Sequence, residues 1–249
     1  VKYSDVFPIQ IFGMTFSNFT PGKLGEPTKA LILKVRNGSA VSETLPTIIW
    51  ERIFDVIMLL SLSISALFLF GITEFFIIGL AATILFFSLI VFLIAAMRKE
   101  KIGYFAFKMA RRLPILNIIS ENFIKNFYRS KISNKKLLSS FLITIFPWIF
   151  EGLMFYFVLL SIGIELDPFL LASLIALAEI IAIASFLPGG IGAFEAVMLV
   201  LLSTFSVQGS MAAAGLFLYR FVSFGFGSFI GALSFIYLSR KIEIKNILK

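Results

Sequence analysis

Residues 184–192 read Ala184-Ser185-Phe186-Leu187-Pro188-Gly189-Gly190-Ile191-Gly192, and residues 17–25 read Ser17-Asn18-Phe19-Thr20-Pro21-Gly22-Lys23-Leu24-Gly25. Phe19, Pro21, Gly22 and Gly25 align with Phe186, Pro188, Gly189 and Gly192 at a shift of 167 residues. Arg52 and Arg220, both set in apolar runs, repeat at a shift of 168. Two features matched at nearly one spacing indicate an internal duplication. A proline ends or kinks a helix, and glycines permit a tight reversal. Within a bilayer the backbone groups so freed must be met by protein or by a water-filled cavity. Each Pro-Gly element therefore reads as a broken, re-entrant helix, the device that aims helix N-termini at anionic substrate groups. An ordinary kinked span is the alternative. The next apolar run, Ala193–Val207, favours re-entrance, because as a helix it reaches only ~22 Å at 1.5 Å per residue.

Outward from these two stretches the chain is apolar. Of 249 residues 59% are hydrophobic and 14% charged, with a mean hydropathy of +1.00. Soluble domains sit near 45–50% apolar and about 25% charged, so lipid must cover what polar residues cannot. Cysteine and histidine are absent, which removes disulfides, thiol chemistry and histidine-based metal or acid–base sites. The net charge of +8 is no nucleic-acid signature, because it is concentrated in one place. Residues 98–136 hold eleven basic and two acidic side chains, the pattern of a cytoplasmic loop under the positive-inside rule. Apolar residues threaded through it suggest amphipathic helices lying on the inner leaflet, the second starting at Pro114.

A span needs about 20 apolar residues to cross a ~30 Å core. Thr44–Phe70, Ile72–Met97, Leu138–Ile164, Phe169–Leu187 and Met211–Ser239 qualify. The sequence thus predicts an all-α polytopic membrane protein with about five full spans. Two re-entrant Pro-Gly elements complete it in an inverted repeat. Residues 1–249 form one transmembrane domain, with repeat elements at about 7–97 and 138–239 joined by the basic segment 98–137. With the basic loop inside, the first Pro-Gly element enters from the cytoplasm. The second enters from outside, and the last span returns Lys241, Lys245 and Lys249 inward. Opposite entry of equivalent elements is the architecture of alternating access.

Charges at bilayer depth cost at least ~2.5–3.5 kcal/mol and need a reason. Arg52 lies three residues before Asp55, and Glu51 four, which permits a locally paired cluster near the cytoplasmic end of its span. Glu151, Glu179 and Arg220 are deeper, and Glu195 follows Pro188 by seven residues. Arg220 is the expected counter-ion of Glu179 or Glu195. Such a pair either locks helices together or lines a polar path for a head group or a coupling proton; both readings stand at this stage.

The run Phe186-Leu187-Pro188-Gly189-Gly190-Ile191-Gly192-Ala193-Phe194-Glu195 closely resembles the signature of the flippase-like membrane family that includes the transmembrane region of lysylphosphatidylglycerol synthase (multiple peptide resistance factor). Ser17 through Glu26, Glu51-Arg52 with Asp55, Trp148 to Glu151, and Tyr219-Arg220 agree in order, so the resemblance covers essentially the whole chain. Family members usually begin with further helices. A chain that starts at Val1 without a signal-peptide pattern is then expected to be the C-terminal majority of a longer protein.

The resemblance implies movement of lipids or lipid-linked sugars between leaflets, often beside a synthase or glycosyltransferase. The synthase's soluble aminoacyl-transferring domain is missing, so its activity does not carry over. On this reading Pro21, Gly22, Lys23, Gly25, Pro188, Gly189, Gly190, Gly192, Glu195 and Arg220 bind an anionic or lipid-linked substrate. Glu51, Arg52, Asp55, Glu151 and Glu179 form an intramembrane charge cluster. No catalytic residue, metal or cofactor is expected, and the multi-pass protein is placed in the plasma membrane. No Walker A loop is present, so energy would come from a gradient, or transport would be passive. Two rivals remain: a non-transporting subunit that partners a glycosyltransferase or lipid synthase, and an intramembrane enzyme acting on lipid-linked substrates.

Overall fold

A computed structural model describes residues 3–69, 71, 76–110, 121–129 and 132–241. The described elements are all helical. In chain order they are α1 (Tyr3–Asn18), a short turn Pro21–Lys23, α2 (Thr28–Asn37), α3 (Val41–Leu69), α4 (Phe76–Arg98), α5 (Glu100–Ala110) and α6 (Glu121–Arg129). Then follow α7 (Asn134–Ser161), α8 (Pro168–Ala184), a second short turn Pro188–Gly190, α9 (Ala193–Thr204), α10 (Gly209–Arg220) and α11 (Gly227–Lys241). A π-helical stretch, Phe221–Phe226, joins α10 to α11, so that Gly209–Arg240 runs as one apolar rod of 32 residues.

Three helices among the described residues are long and apolar enough to cross a membrane: Val41–Leu69, Asn134–Ser161 and Gly209–Arg240. They match three of the expected runs. The expected span Ile72–Met97 corresponds to α4, 23 residues long; its first residues, 72–75, lie outside the described ones. Phe169–Leu187 requires correction as a full span. Its helix, α8, has 17 residues and ends at Ala184, about 26 Å at 1.5 Å per residue, short of a ~30 Å core. Asp167 starts it sharply, its carboxylate accepting the Leu170 N–H at 2.8 Å, with Pro168 at the first helical position. From Leu170 to Ala178 every residue is buried. A helix apolar on all sides belongs inside protein rather than against lipid on one face, and α8 is the hub on which α3, α7 and α9 pack. Gly152 of α7 permits the closest approach, since a Cβ there would stand 2.8 Å from the Ala172 Cβ. Small residues at such crossings let helix backbones approach.

Helix α1 adds a helix to the spans read from hydropathy, packed on α2 and α11. The amphipathic connectors are present as α5 and α6. Ile124 and Phe127 of α6 are buried, the Phe127 ring meets Phe107 of α5 at 5.3 Å between centroids, and the Tyr128 hydroxyl donates to the Ala96 carbonyl at 2.6 Å. The second helix expected to start at Pro114, and the C-terminal Lys245 and Lys249, fall outside the described residues.

Candidate functional site

The two Pro-Gly stretches fold into the same turn. In the first, the Lys23 N–H donates to the Thr20 carbonyl (3.1 Å) and the Leu24 N–H to the Pro21 carbonyl (3.3 Å). In the second, the Gly190 N–H donates to Leu187 (2.9 Å) and the Ile191 N–H to Pro188 (3.3 Å), residue for residue at the shift of 167. Gly22 and Gly189 both adopt the left-handed conformation, at φ 59° and 64°, and so do the next residues, Lys23 at 57° and Gly190 at 63°. Glycine bears this region without a Cβ penalty; Lys23 does not have that freedom.

The turns pack against each other. The Phe186 ring lies over Gly22, 3.4 Å from where a Cβ would stand, and the Phe224 ring lies over Gly189, where a Cβ would come within 2.9 Å. Phe224, from the π-helical stretch, also meets Phe19 edge-on with centroids 5.1 Å apart. π-Helical insertions frequently accompany functional sites because they re-aim side chains, and this one begins directly after Arg220. Between the turns is a narrow cleft lined by Thr20, Gly22, Lys23, Glu179, Leu187 and Gly189 among others. Its free space is that of about one water molecule, so the cleft as it stands is closed to a head group.

Each turn is followed by a carboxylate that takes an arginine from the next long helix. In the second half the Arg220 Nε–H donates to Glu195, while an Arg220 NH2 group reaches the Gly189 carbonyl at 3.3 Å. The guanidinium also sits 4.3 Å over the Phe194 ring. The other Glu195 oxygen accepts the Gly192 N–H at 2.6 Å, as a carboxylate in the first turn of a helix can. In the first half Arg52 pairs with Glu26 (2.5 Å) and Asp55 (2.7 Å). Lys29 adds contacts to Glu26 (3.5 Å) and Glu51 (3.2 Å), and Gln10 donates to Glu51 at 2.5 Å. Lys29 is buried under α1, where Gly13 leaves room for its stem: a Cβ there would stand 2.3 Å from the Lys29 Cγ.

Several expectations change. Of the two candidate partners of Arg220, Glu195 is the one engaged; Glu179 pairs instead with Lys23, from the other half. The Glu51–Arg52–Asp55 group is not merely local, because Gln10 of α1, Lys29 of α2 and Glu26 of the turn before α2 join it. Nor does it sit at a helix end: α3 starts at Val41, which puts Arg52 about 16 Å along it. Glu151 is neither with Glu179 nor with Arg220 by direct contact, but accepts a hydrogen bond from the Tyr219 hydroxyl at 2.5 Å. The helix N-termini expected to face a phosphate have two donors already engaged, the Gly192 N–H by Glu195 and the Gly25 N–H by the Thr20 hydroxyl at 2.8 Å. Pro21 and Pro188 begin the turns without contributing a donor.

Glu26 is the residue that sequence reasoning should have paired. It follows Pro21 by five residues whereas Glu195 follows Pro188 by seven, and that offset hides the equivalence. Its separation from Arg52 carries the signal, 26 residues against the 25 between Glu195 and Arg220.

Fold and site together define an all-α membrane protein organised around two matched Pro-Gly turns, each anchored by a carboxylate–arginine pair. The chain belongs to the family described as the lysylphosphatidylglycerol synthase TM region, whose model matches residues 1–231. It is similar to a UPF0104 membrane protein of Methanothermobacter thermautotrophicus, with 24% identity over 96% of this chain and 77% of that protein. It is also similar to UPF0104 membrane proteins of Pyrococcus horikoshii (28% identity; 99% and 80% covered) and Methanocaldococcus jannaschii (25%; 94% and 99%). No solved structure matches it significantly.

Proposed function

We propose that this protein moves an anionic, phosphate-bearing lipid or lipid-linked glycan between the leaflets of the plasma membrane, through the meeting point of its two Pro-Gly turns. The observation that carries the reading is the Lys23 ammonium, held over the cleft between the turns. A cation at that place suits a phosphate, while the large apolar surface on either side suits acyl chains that stay in lipid. The two turns are re-entrant elements entering from opposite faces, and exchange of access between them passes the head group across. Glu195–Arg220 and Glu26–Arg52 hold the turns in register as they move. No residue is given a catalytic role.

The test is translocation of a fluorescent anionic phospholipid in liposomes containing the purified protein. Loss of inner-leaflet protection from an impermeant quencher at a rate well above empty liposomes supports the reading, and a rate equal to empty liposomes refutes it. The rival, a non-transporting subunit for a glycosyltransferase or lipid synthase, requires that second outcome together with an intact fold.

A further inference from the structure

Among the described residues, Lys23–Glu179 is the ion pair that crosses from one half of the site to the other. The Glu26–Arg52 and Glu195–Arg220 pairs each close within a half, tied to neighbours that include Lys29 on one side and the backbone of Gly189 and Gly192 on the other. Lys23 differs from them in its backbone as well. It stands left-handed where the second turn has Gly190, and an L-residue loses stability there. Its surroundings hold it in place: the Ser17 hydroxyl donates to the Lys23 carbonyl at 2.7 Å, and the Thr20 hydroxyl donates to the Ser17 carbonyl at 2.7 Å. A strained residue held by its surroundings points towards function. Glycine would suit the turn better, so the reason for a lysine lies in its ammonium. That ammonium ends on Glu179, the one charged residue of helix α8, across a cleft too small for a head group.

Taking the flippase reading as given, we propose that Glu179 occupies on Lys23 the place of the substrate's phosphate. The ion pair is the closed gate between the turns, and a phosphate-bearing head group opens it by exchanging the carboxylate for one of its own oxygens. Charge then sets a stoichiometry. Once Lys23 is taken by the phosphate, Glu179 loses the one cation that pairs with it among the described residues. Arg220 is engaged by Glu195. Glu151 of α7, within Coulombic reach of Glu179, is itself acidic, and Tyr219 of α10, also in reach, donates to Glu151. Asp55 of α3, on the Lys23 side, is held by Arg52. A carboxylate left in low dielectric without a counter-ion is neutralised by a proton. The exchange balances as one phosphate monoanion and one proton in. The ammonium–carboxylate pair becomes an ammonium–phosphate pair beside a neutral carboxylic acid. When the head group leaves, the pair re-forms and the proton is released on the far side, so anion and proton travel together.

Isothermal titration calorimetry on the full-length protein in detergent tests this, with dihexanoyl phosphatidylglycerol and dimethyl phosphate, both monoanions without a second ionisable proton, as probes in two buffers of different ionisation enthalpy. Binding of the phospholipid to the unaltered protein is expected to take up about one proton. Glu179→Gln, with the gate open, should bind about tenfold tighter or more and take up none, because an occupied gate lowers apparent affinity by the fraction that is open. Lys23→Gln should bind weakly in either background. Dimethyl phosphate binding with the same proton uptake supports the gate and assigns recognition to the phosphate group; binding of the phospholipid alone supports it and assigns recognition to the lipid head group. Binding without proton uptake in the unaltered protein, which needs no variant to fold, overturns the proposal, as does Glu179→Gln binding no tighter. Liposome translocation separates the two levels. Transport without proton-linked binding sinks the gate and leaves the flippase reading standing. Proton-linked binding without transport does the reverse.

Discussion

The two halves of the site share a turn and differ in what surrounds it. Pro21–Lys23 and Pro188–Gly190 have the same hydrogen bonds and the same left-handed pair of residues. The helix before the second turn, α8, is buried over Leu170–Ala178, whereas α1, before the first, keeps Phe7, Met14 and Phe16 exposed. Glu26 of the first pair is 3% exposed in its side chain, against 30% for Glu195 of the second. The second half thus supplies the packed centre of the molecule, while the first supplies a charge network and the lysine that reaches across. The backbone device is the same in both while its environment differs, because turn geometry depends on a few local residues while burial depends on what packs from elsewhere.

The comparison breaks most completely if the halves are not inverted. The connection after α2 and the connection after α9 should then fail to lie on opposite faces. Single cysteines at Asn37 and Gln208, both exposed, are expected to react with an impermeant thiol reagent from opposite sides of the membrane. The chain has no native cysteine to confuse the result. Labelling from one side would end the inverted-repeat reading.

Leucine at the turn glycines should separate the halves by packing. At Gly190 a Cβ would stand 2.6 Å from the Ala182 Cβ of buried α8, so overpacking adds to left-handed strain, for a loss of about 3 kcal/mol or more. At Gly22 the nearest atom is an exposed Phe186 ring at 3.4 Å, which leaves mainly the conformational cost of about 1–2 kcal/mol. Thermal unfolding in detergent should therefore rank Gly190→Leu well below Gly22→Leu, while both lose translocation. Equal melting temperatures would mean that α8 is not the fixed centre.

The carboxylates should differ in the same direction, though less. Removing Glu26 leaves Arg52 and the buried Lys29 short of a partner, and breaking a buried pair from one side costs about 3–5 kcal/mol. The Glu195–Arg220 pair is more exposed, and screening lowers the cost of Glu195→Ala to about 1–2 kcal/mol. Arg220→Ala combined with Glu195→Gln should fold better than Arg220→Ala alone and still fail to translocate lipid. If the double variant translocates normally, the pair is only a structural lock.

The smallest effect is the most specific. In a Glu179→Gln background there is no ion pair to lose, so Lys23→Gly should raise stability by about 1 kcal/mol through relief of the left-handed strain. A lower melting temperature in that background would show that Lys23 is kept for packing.

Much of this protein was legible without coordinates. Apolar run length alone places α3, α7 and the last rod in a membrane, since a ~30 Å core admits few alternatives. Pro-Gly at a constant shift marked both turns, because proline and glycine act on their own backbone. An arginine in an apolar span announced a carboxylate partner, because its burial alone is too costly. What sequence could not choose was which carboxylate. Glu179 and Glu195 are both near enough in the chain to serve Arg220, and the choice of Glu195 follows from how α9 and α10 pack, while Glu179 faces a lysine more than 150 residues away. The burial of α8, the reach of Lys29 past Gly13 and the Tyr219–Glu151 bond are likewise contacts between distant segments. Local rules govern where a chain turns and which side chains cannot stay alone; tertiary packing decides which partner each one meets.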